Sequence, residues 1–345
     1  MKKVTISDVA KHAGVSKSTV SQYLNGRYEY MSERTRKKIE FSIRELKYRP
    51  NIVARSLTKK TTYTIGIIVA NILHYFSTQI IRNIEQLFNK YGFHTIVCNA
   101  DDEPAKERQY IEMLMAKQVD GIIIFPTGDN LDLYQQMKKL HFPIVFMDRT
   151  IEGLKIPSIM LHNEKAAEMA VNVLVDNGHE RIAMMTASIV HNITPRIERI
   201  EGYKKALLKN GLNVRDEYIQ SVDIEQMKER LHTMFQLKER PEAIIAASDR
   251  VLIEVLNYAK EQQLNIPNDL AIVAIDDVPY ASFFTPTLTT VSQPTLQMAE
   301  KAAELLLLQI KGEEKLPRER IIRFEGQLNE RESHKKSKDL HHVFR

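Results

Sequence analysis

TISDVAKHAGVSKSTVSQYLN, residues 5–25, predicts two short helices joined by a tight turn. The first helix has an apolar face whose members recur at helical spacing: Ile6, Val9, Ala10 and Ala13. Thr5 and Asp8 form a capping-box pattern at its start, and Gly14 suits the left-handed conformation of the turn. Because a small residue, a turn glycine and Val20 fall at the spacing of a helix-turn-helix, we interpret the stretch as a DNA-binding unit.

The second helix presents a polar outer face, and Ser16 is expected to cap its amino end. Short or forked hydrogen-bonding groups lie on that face, and such groups suit base edges and phosphates. They are Lys17, Ser18, Ser21, Gln22 and Asn25. The alternative is an ordinary helical hairpin whose polar face is solvated.

Basic charge is concentrated at the amino end of this 345-residue chain. Residues 1–60 hold 15 Lys and Arg against 5 Asp and Glu, whereas the whole chain carries a net charge of only +5. A basic segment of this kind is expected to neutralise phosphates. The length fits one small domain and a larger one or two.

Several classes of protein lack support in the sequence. The amino end has no apolar core of a signal peptide, and no apolar run approaches the length of a membrane span. A single cysteine, Cys98, makes no internal disulfide, so we expect a cytoplasmic protein. Neither a phosphate-binding glycine loop nor a metal-protease motif occurs, so we expect no enzyme, no cofactor and no metal. A solute-binding protein is the rival class, which the basic amino end opposes.

A third helix, from Ser32 to about Lys47, completes a predicted all-α domain at residues 1–49. Residues 50–60 are predicted to form a hinge whose short helix orders only when it is held, for instance between DNA and a second copy of the chain. Leu57, beside basic residues, suits insertion between base pairs from the minor groove. A plain interdomain linker is equally compatible with this composition.

From residue 61 the pattern changes to apolar runs that alternate with helical stretches. We predict strands at 65–71, 94–100, 120–126, 144–148, 181–187, 218–222, 242–248 and 270–276. Two such series predict an α/β domain of two doubly wound parallel-sheet lobes at residues 61–332. The first lobe is expected at about 61–160 and 294–319 and the second at about 161–293 and 320–332, followed by a disordered tail at 333–345.

Two facing lobes of this type form a cleft at the carboxyl ends of their strands, where ligands bind. Carboxylates that accept two hydroxyls, guanidinium groups and an aromatic platform there predict a site for a sugar-type molecule. The candidate residues are Tyr75, Phe76, Asp148, Arg149, His191, Arg196, Arg199, Asp249 and Asp276. Each of them could instead form a surface ion pair at a loop.

The order of these segments resembles the LacI/GalR family of bacterial repressors. TISDVAKHAGVSKSTVS, YRPNIVARSL, DGIIIF, NGHERIA and NDLAIVAIDD carry the resemblance, which covers about residues 3–332. It implies a periplasmic-binding-protein-like effector domain, three crossings between the lobes and a homodimer on a palindromic double-stranded operator. It implies base reading by Lys17, Ser18 and Gln22, a minor-groove wedge at Leu57 with Ala54 beside it, and effector contacts at Phe76, Asp148, Arg199, Asp249 and Asp276.

The remaining expected contacts position the protein on phosphates, and they are Thr5, Ser16, Thr19, Ser21, Asn25, Asn51, Lys59 and Lys60.

Within the family, stretches such as RPNIVARSL and IEMLMAKQVDG are similar to repressors that respond to 2-keto-3-deoxygluconate in pectin breakdown. We therefore expect a sugar-acid inducer and a repressor of carbohydrate catabolic genes. A catabolite-control regulator, tightened on DNA by a corepressor or a phosphoprotein, is the alternative. Asn71 and Ala274 depart from the residues usual in the family, so effector chemistry does not transfer wholesale.

Overall fold

A computed structural model describes residues 4–48, 61–313 and 320–336, without the side chain of His191. The chain divides into two compact units, Met1–Thr62 and Tyr63–Arg345. The predicted hinge at residues 50–60 lies outside the described residues. The same holds for five expected DNA contacts: Asn51, Ala54, Leu57, Lys59 and Lys60.

Three helices form the first unit: α1 (Ile6–Ala13), α2 (Lys17–Leu24) and α3 (Glu33–Glu45). The capping box of α1 is confirmed, since the Thr5 hydroxyl accepts from the amide of Asp8 while the Asp8 carboxylate accepts from the amide of Thr5. Ser16 and Ser32 cap the other two helices, since their hydroxyl groups accept from the amides of Thr19 and Thr35. Gly14 ends α1 with a φ of 65°, a left-handed conformation that costs an L side chain energy.

The core of this unit is small, and it joins all three helices. Its buried members are Val9, Ala10, Ala13, Val20 and Ile39. Val20 is fully buried, as the spacing of the helix-turn-helix predicts. The angle between α1 and α2 is therefore set by close packing of small and β-branched side chains.

The second unit contains eight α-helices and twelve strands among the described residues. The helices are α4 (Tyr75–Lys90), α5 (Pro104–Ala116), α6 (Leu131–Lys139), α7 (Asn163–Asp176), α8 (Thr194–Lys209), α9 (Met227–Phe235), α10 (Asp249–Glu261) and α11 (Thr295–Ile310). The strands are β1 (Thr64–Val69), β2 (His94–Asn99), β3 (Gly121–Ile124), β4 (Ile144–Met147), β5 (Ser158–Leu161), β6 (Ile182–Ala187), β7 (Ile219–Val222), β8 (Ala243–Ala246), β9 (Ala271–Ile275), β10 (Thr289–Ser292), β11 (Ile321–Phe324) and β12 (Gln327–Asn329).

The strands form two six-stranded sheets, one in each lobe. Their orders are β11-β5-β4-β3-β1-β2 and β12-β10-β9-β8-β6-β7. All neighbours pair in parallel except β10 and β12, which are antiparallel. The prediction of two doubly wound lobes is confirmed, and so are all eight predicted strands to within two residues. The chain crosses between the lobes three times, after β5, after β10 and after β11.

The predicted boundary of the second lobe is wrong at its carboxyl end. Ile321–Phe324 pairs in parallel with β5 and belongs to the first sheet, whereas Gln327–Asn329 pairs with β10 in the second. The sequence there shows one continuous extended segment. Its two halves join different sheets because they pair with strands that are distant in the chain. Strands β5 (SIML) and β10 (TTVS) were not predicted from the sequence.

The predicted tail also begins too early. Ser333 and His334 are fully buried. The Ser333 hydroxyl donates to the carbonyl of Ile272 at 2.6 Å, and the His334 ring lies 2.7 Å from the Thr289 hydroxyl. The segment up to Lys336 therefore belongs to the folded second lobe, because its polar side chains have partners that the local sequence does not reveal.

Each lobe has helices on both faces of its sheet, as a parallel sheet requires. Helices α7 and α8 approach closely at Gly202, where an added Cβ would lie 2.4 Å from the carbonyl oxygen of Glu164. This close approach orients the amino end of α8, which carries Arg196 and Arg199 toward the ends of the strands. None of the helices in the described parts of the chain has both the length and the hydropathy that crossing a membrane requires.

Candidate functional site

The helix-turn-helix presents the predicted base-reading residues on its surface. Lys17, Ser18 and Gln22 are all exposed on α2. Val20, on the opposite side of the same helix, is fully buried in the core of the unit. The helix therefore has one face committed to packing and another available for a groove of DNA.

The expected phosphate contacts in the described part of this unit differ in their exposure and in the hydrogen bonds that they already make. The Ser16 hydroxyl lies 2.6 Å from that of Ser18 and 2.8 Å from that of Thr19, so the three form a local network at the start of α2. Thr5 is exposed and Ser21 is half-buried. The Asn25 amide is half-buried and donates to the carbonyl of Ser21 at 2.9 Å, so its present role is to close the end of α2.

In the second unit, the carboxyl ends of the strands of both lobes surround one cavity of about 50 Å³. A water molecule takes roughly 30 Å³ in the liquid and small-molecule sites reach about 300–1,000 Å³. The two lobes therefore lie close together around this cavity. The side chains around the cavity include Asn71, His74, Phe76, Ser77, Phe125, Asp148, Arg149, Thr186, Arg196, Arg199, Ser248, Asp276 and Gln293.

Six of the nine residues predicted for the cleft line this cavity: Phe76, Asp148, Arg149, Arg196, Arg199 and Asp276. Tyr75 and Asp249 lie beside it and make a contact between the lobes. The backbone amide of Tyr75 donates to the Asp249 carboxylate at 2.6 Å, and the His74 imidazole donates to the same carboxylate at 2.6 Å. The side chain of His191 lies outside the described part of the chain.

Two guanidinium groups share one carboxylate in the cleft. The Asp102 carboxylate accepts from Arg149 at 2.7 Å and lies 3.6 Å from Arg196. Burial alone would raise the pKa of Asp102, but the two arginines outweigh it and hold the pKa below its usual range. Burial, together with repulsion from Arg149, lowers the pKa of Arg196 to about 10. Arg196 thus stays charged at neutral pH, although its surroundings disfavour a second cation.

Arg149 retains hydrogen-bonding capacity. It is 5% exposed, and its other acceptor among the described residues is the carbonyl of Pro126 at 3.4 Å, a long contact. Its Nε is buried and has no hydrogen-bond partner among the residues that the structure describes, with the Asp148 carboxylate 4.0 Å away. A buried donor of this kind is costly to leave unpaired and suits an acceptor oxygen of a ligand.

Arg199 and Asp276 both line the cavity on the second lobe. Arg199 donates to the carbonyl of Ala247 at 2.5 Å and to the Asn163 side chain at 3.0 Å. The Asp276 carboxylate accepts from Gln293 at 2.7 Å. Burial raises the pKa of Asp276 even though Arg199 opposes the shift, so the carboxylate is an energetically unfavourable charge in the closed cleft.

The two lobes place an aspartate at the same position of their sheets. Asp148 follows β4 with a φ of 65°, and Asp276 follows β9 with a φ of 88°. Residues other than glycine rarely adopt this left-handed conformation, which persists where surrounding structure enforces it and is concentrated at functional sites. Here the Asp148 amide donates to Ile159 and the Asp276 amide donates to Val291, each on the neighbouring strand.

Sequence reasoning missed Asp102 and Gln293, although both follow strand ends. The pair Asp101 and Asp102 directly after the β2 run was a usable signal, because the carboxyl end of a parallel strand faces the ligand edge. Gln293 had no usable signal, because β10 itself was not predicted. No cluster of three or more His, Cys, Asp or Glu side chains suited to a metal ion occurs in the described ranges.

Comparisons with known proteins agree with these two units. The family model for bacterial regulatory proteins of the lacI family matches residues 5–51, and that for a periplasmic binding protein-like domain matches residues 171–334. The probable HTH-type transcriptional regulator EndR of Paenibacillus polymyxa is 45% identical over 332 residues, which cover 95% of this chain and 98% of the relative. The HTH-type transcriptional regulator KdgR of Bacillus subtilis (strain 168) is 34% identical over 316 residues, covering 91% and 93%.

Among solved structures, a crystal structure of the lac repressor dimer bound to operator and the anti-inducer ONPF superposes with a TM-score of 0.85. It is 25% identical and covers 97% of this chain and 100% of that one. The overall fold of this chain is thus similar to that of a solved repressor. This chain belongs to the LacI family and is a DNA-binding transcriptional regulator.

Proposed function

We propose that this regulator represses carbohydrate catabolic genes and leaves its operator when a sugar acid binds in the cleft. The candidate inducer is 2-keto-3-deoxygluconate, in the use of pectin and galacturonate. The sequence resemblance to repressors that respond to this compound supports the choice. The protein would act as a homodimer on a palindromic operator, because two copies of one helix-turn-helix match two half-sites.

On DNA, Lys17, Ser18 and Gln22 would contact base edges, and their exposure on α2 supports this role. The exposed Thr5 and Ser16 would hold phosphates and set the register of α2 in the groove. Residues 50–60 would order on the operator, with Leu57 as a wedge in the minor groove.

The arginine cluster is the observation that carries the sugar-acid proposal. Arg149 and Arg196 share the single carboxylate of Asp102, and within the described parts of the chain Arg149 has a buried donor without a partner. A ligand carboxylate can accept from both guanidinium groups at once, and charge-assisted bonds of this type are strong. Asp148 and Asp276 then suit the hydroxyl groups of the ligand, since a carboxylate accepts two hydroxyl donors.

Ligand binding would act through the contacts between the lobes. His74 and Asp249 join the lobes directly beside the cavity, so a ligand that enters the cavity would either weaken or reinforce this contact. A ligand shifts the balance between two lobe arrangements only as far as it binds one of them better. A changed lobe arrangement alters the spacing of the hinge segments in a dimer, and with it the affinity for the operator.

A corepressor is the second candidate, because the same closed lobes favour it. The contacts of Asp249 with His74 and with the Tyr75 amide already hold the lobes together, and a ligand that added to these contacts would strengthen this arrangement. The two functions differ in sign. An inducer weakens operator binding, whereas a corepressor tightens it.

Operator binding in the presence of ligands tests the proposal. An operator fragment would first be selected from random duplexes with the full-length protein, and its affinity measured by fluorescence anisotropy. We expect 2-keto-3-deoxygluconate to raise the dissociation constant by about tenfold or more, the range of typical allosteric couplings. Glucose, which lacks the carboxylate, is the matched control and should have little effect. A sugar acid that tightens operator binding would favour the corepressor function. If no sugar acid changes operator binding, both the inducer and the corepressor function are refuted.

A further inference from the structure

Glu107 is a fully buried carboxylate in the first lobe, outside the cavity. It lies on α5, one turn from the amino end of the helix, and is 0% exposed. Three donors converge on it: the Asn130 side chain, the Tyr134 hydroxyl and the backbone amide of Thr127, each at 2.7 Å. A buried carboxylate is costly, so an apolar core with the same shape would stabilise the lobe at least as well.

The donors of Glu107 come from the loop after β3 and from the start of α6. This loop also contains Pro126, whose carbonyl accepts from the Arg149 guanidinium at 3.4 Å. Thr127 is the next residue, and the bond from its amide to Glu107 fixes the peptide that presents the Pro126 carbonyl. The position of one acceptor of Arg149 therefore depends directly on the buried carboxylate.

The second acceptor of Arg149 depends on the same network. Asn130 donates to Glu107 and also to the carbonyl of Pro104 at 2.8 Å. Pro104 begins α5, two residues after Asp102, which accepts from Arg149 at 2.7 Å. One carboxylate thus joins the loop after β3 to the loop after β2, and Arg149 donates to both loops.

We propose that Glu107 is a positioning residue of the effector site, which holds in register the two loops that orient Arg149 for an anionic group of the ligand. The proposal rests on the proposed function in one respect, the ligand carboxylate. A buried network that served packing alone would have no reason to connect both acceptors of one guanidinium group. Buried networks in which several donors converge on one carboxylate are a general means of fixing a single geometry at a binding site.

Glu107→Gln tests the geometry without any ligand. The amide oxygen can still accept from Asn130 and Tyr134, but the amide nitrogen would then face the Thr127 amide, donor against donor. We expect hydrogen exchange at the Thr127 amide to be faster by about tenfold or more, because the bond that protects it is lost. A crystal structure of the variant should show that Arg149 has moved away from Pro126 and Asp102. Arg149 at unchanged distances from both acceptors would overturn the inference.

Glu112→Gln is the matched control, since Glu112 is exposed on the same helix. It should leave both the exchange rate and Arg149 unchanged. Asn130→Ala serves as a second variant if Glu107→Gln does not fold. It keeps the carboxylate and removes the bond to Pro104, so Asp102 and Arg149 should separate, and an unchanged distance between them would also overturn the inference.

Calorimetry with 2-keto-3-deoxygluconate as the probe then separates this inference from the proposed function. Glu107→Gln should bind the compound about tenfold more weakly than the wild type, the loss expected for a misplaced charge-assisted contact. Its operator affinity without ligand should match that of the wild type, which a general loss of folding would not allow. Equal affinity of variant and wild type for the compound would overturn the role of Glu107. A wild type that does not bind the compound would refute the proposed inducer, while the position of Arg149 in the variant still decides the inference.

Discussion

The imidazole of His74, in the first lobe, lies 2.6 Å from the carboxylate of Asp249, in the second. The same carboxylate accepts from the amide of Tyr75 at 2.6 Å. Asp249 therefore holds the closed lobes together in the arrangement seen here. As a predicted effector contact, it would have to exchange these donors for the hydroxyl groups of a ligand.

The contact makes the stability of the second unit sensitive to acid. Burial would raise the pKa of Asp249, but the bonds from His74 and from backbone amides hold it below its usual range. A carboxyl group whose pKa is lower in the folded state stabilises above the unfolded value of about 3.9, and loses this contribution as pH falls through the folded value. We expect Asp249→Asn to flatten the fall of the melting temperature below about pH 4.

Thermal unfolding of wild type and variant between pH 3 and 6 measures this effect. Asp176→Asn removes an exposed carboxylate at the end of α7 and serves as the control. It should change the curve far less than Asp249→Asn. Parallel curves for wild type and Asp249→Asn would contradict the prediction.

The contribution of Asp276 to stability should depend on pH in the opposite direction. Burial raises its pKa above the usual value, so its favourable contribution is present at low pH and lost as pH rises through the folded value. At neutral pH the ionised group costs stability, and Asn removes the charge while tolerating the left-handed backbone. We expect Asp276→Asn to raise the melting temperature at pH 7 by about 2–4 °C for a gain of about 1 kcal/mol. Its ligand response should be lost. A lower melting temperature at pH 7 would show that the attraction of the Asp276 carboxylate to Arg199 outweighs the cost of burial.

Arg196 should act on the ligand without affecting DNA binding. It donates to the carbonyl of Ser188 and lies 3.6 Å from Asp102, which retains Arg149 as a partner. We expect Arg196→Gln to weaken binding of 2-keto-3-deoxygluconate by about tenfold to a hundredfold, since one charged partner of the carboxylate is lost. Operator affinity without ligand should change less than twofold in anisotropy titrations, a margin of about 0.4 kcal/mol.

The control for this variant is Arg215→Gln, which removes a surface ion pair with Glu239. Surface pairs contribute little, so this variant should respond like the wild type. Loss of operator binding by folded Arg196→Gln would show that the arginine does not belong to an effector site.

Gly14 should be replaceable only at a conformational cost. Its φ is 65° and an added Cβ would contact no atom within 4 Å, so the cost of a side chain lies in the backbone alone. Gly14→Ala should destabilise the first unit by about 1–2 kcal/mol. Gly14→Asn should cost less, because Asn adopts the left-handed region more readily. Urea unfolding of the full chain, monitored through the loss of operator binding, ranks the stability of the wild type, Gly14→Ala and Gly14→Asn. Equal effects of Ala and Asn would contradict this explanation.

Gln22 is exposed on α2 and should contribute to sequence choice more than to overall affinity. Gln22→Ala should weaken operator binding by about 1–3 kcal/mol, the range for a good bidentate base contact. Binding to random duplex should change little, because phosphate contacts supply it. Lys37→Ala, which removes an exposed side chain of α3, is the control. Equal losses on operator and random DNA would assign Gln22 to phosphate contact.

Local signals in the sequence predicted the helices of the first unit and the order of strands and helices in the second unit. Caps, a turn glycine and helical periodicity act over a few residues, so they could be read directly around residues 5–25. The strand ends could be located for the same reason, and six of the residues chosen there line the cavity. Pairing over long distances could not be read: Ile321–Phe324 and Gln327–Asn329 look like one segment and join different sheets.

The sequence by itself determined a basic helix-turn-helix followed by two parallel-sheet lobes, because periodicity and capping depend on near neighbours in the chain. Only the tertiary structure decided which polar groups meet. Asp249 contacts His74 across the cleft, Asp102 lies between two arginines, and Glu107 connects two loops. These partners are far apart in the chain. The packing of the lobes sets the distances between these buried charges, and the local composition does not specify them.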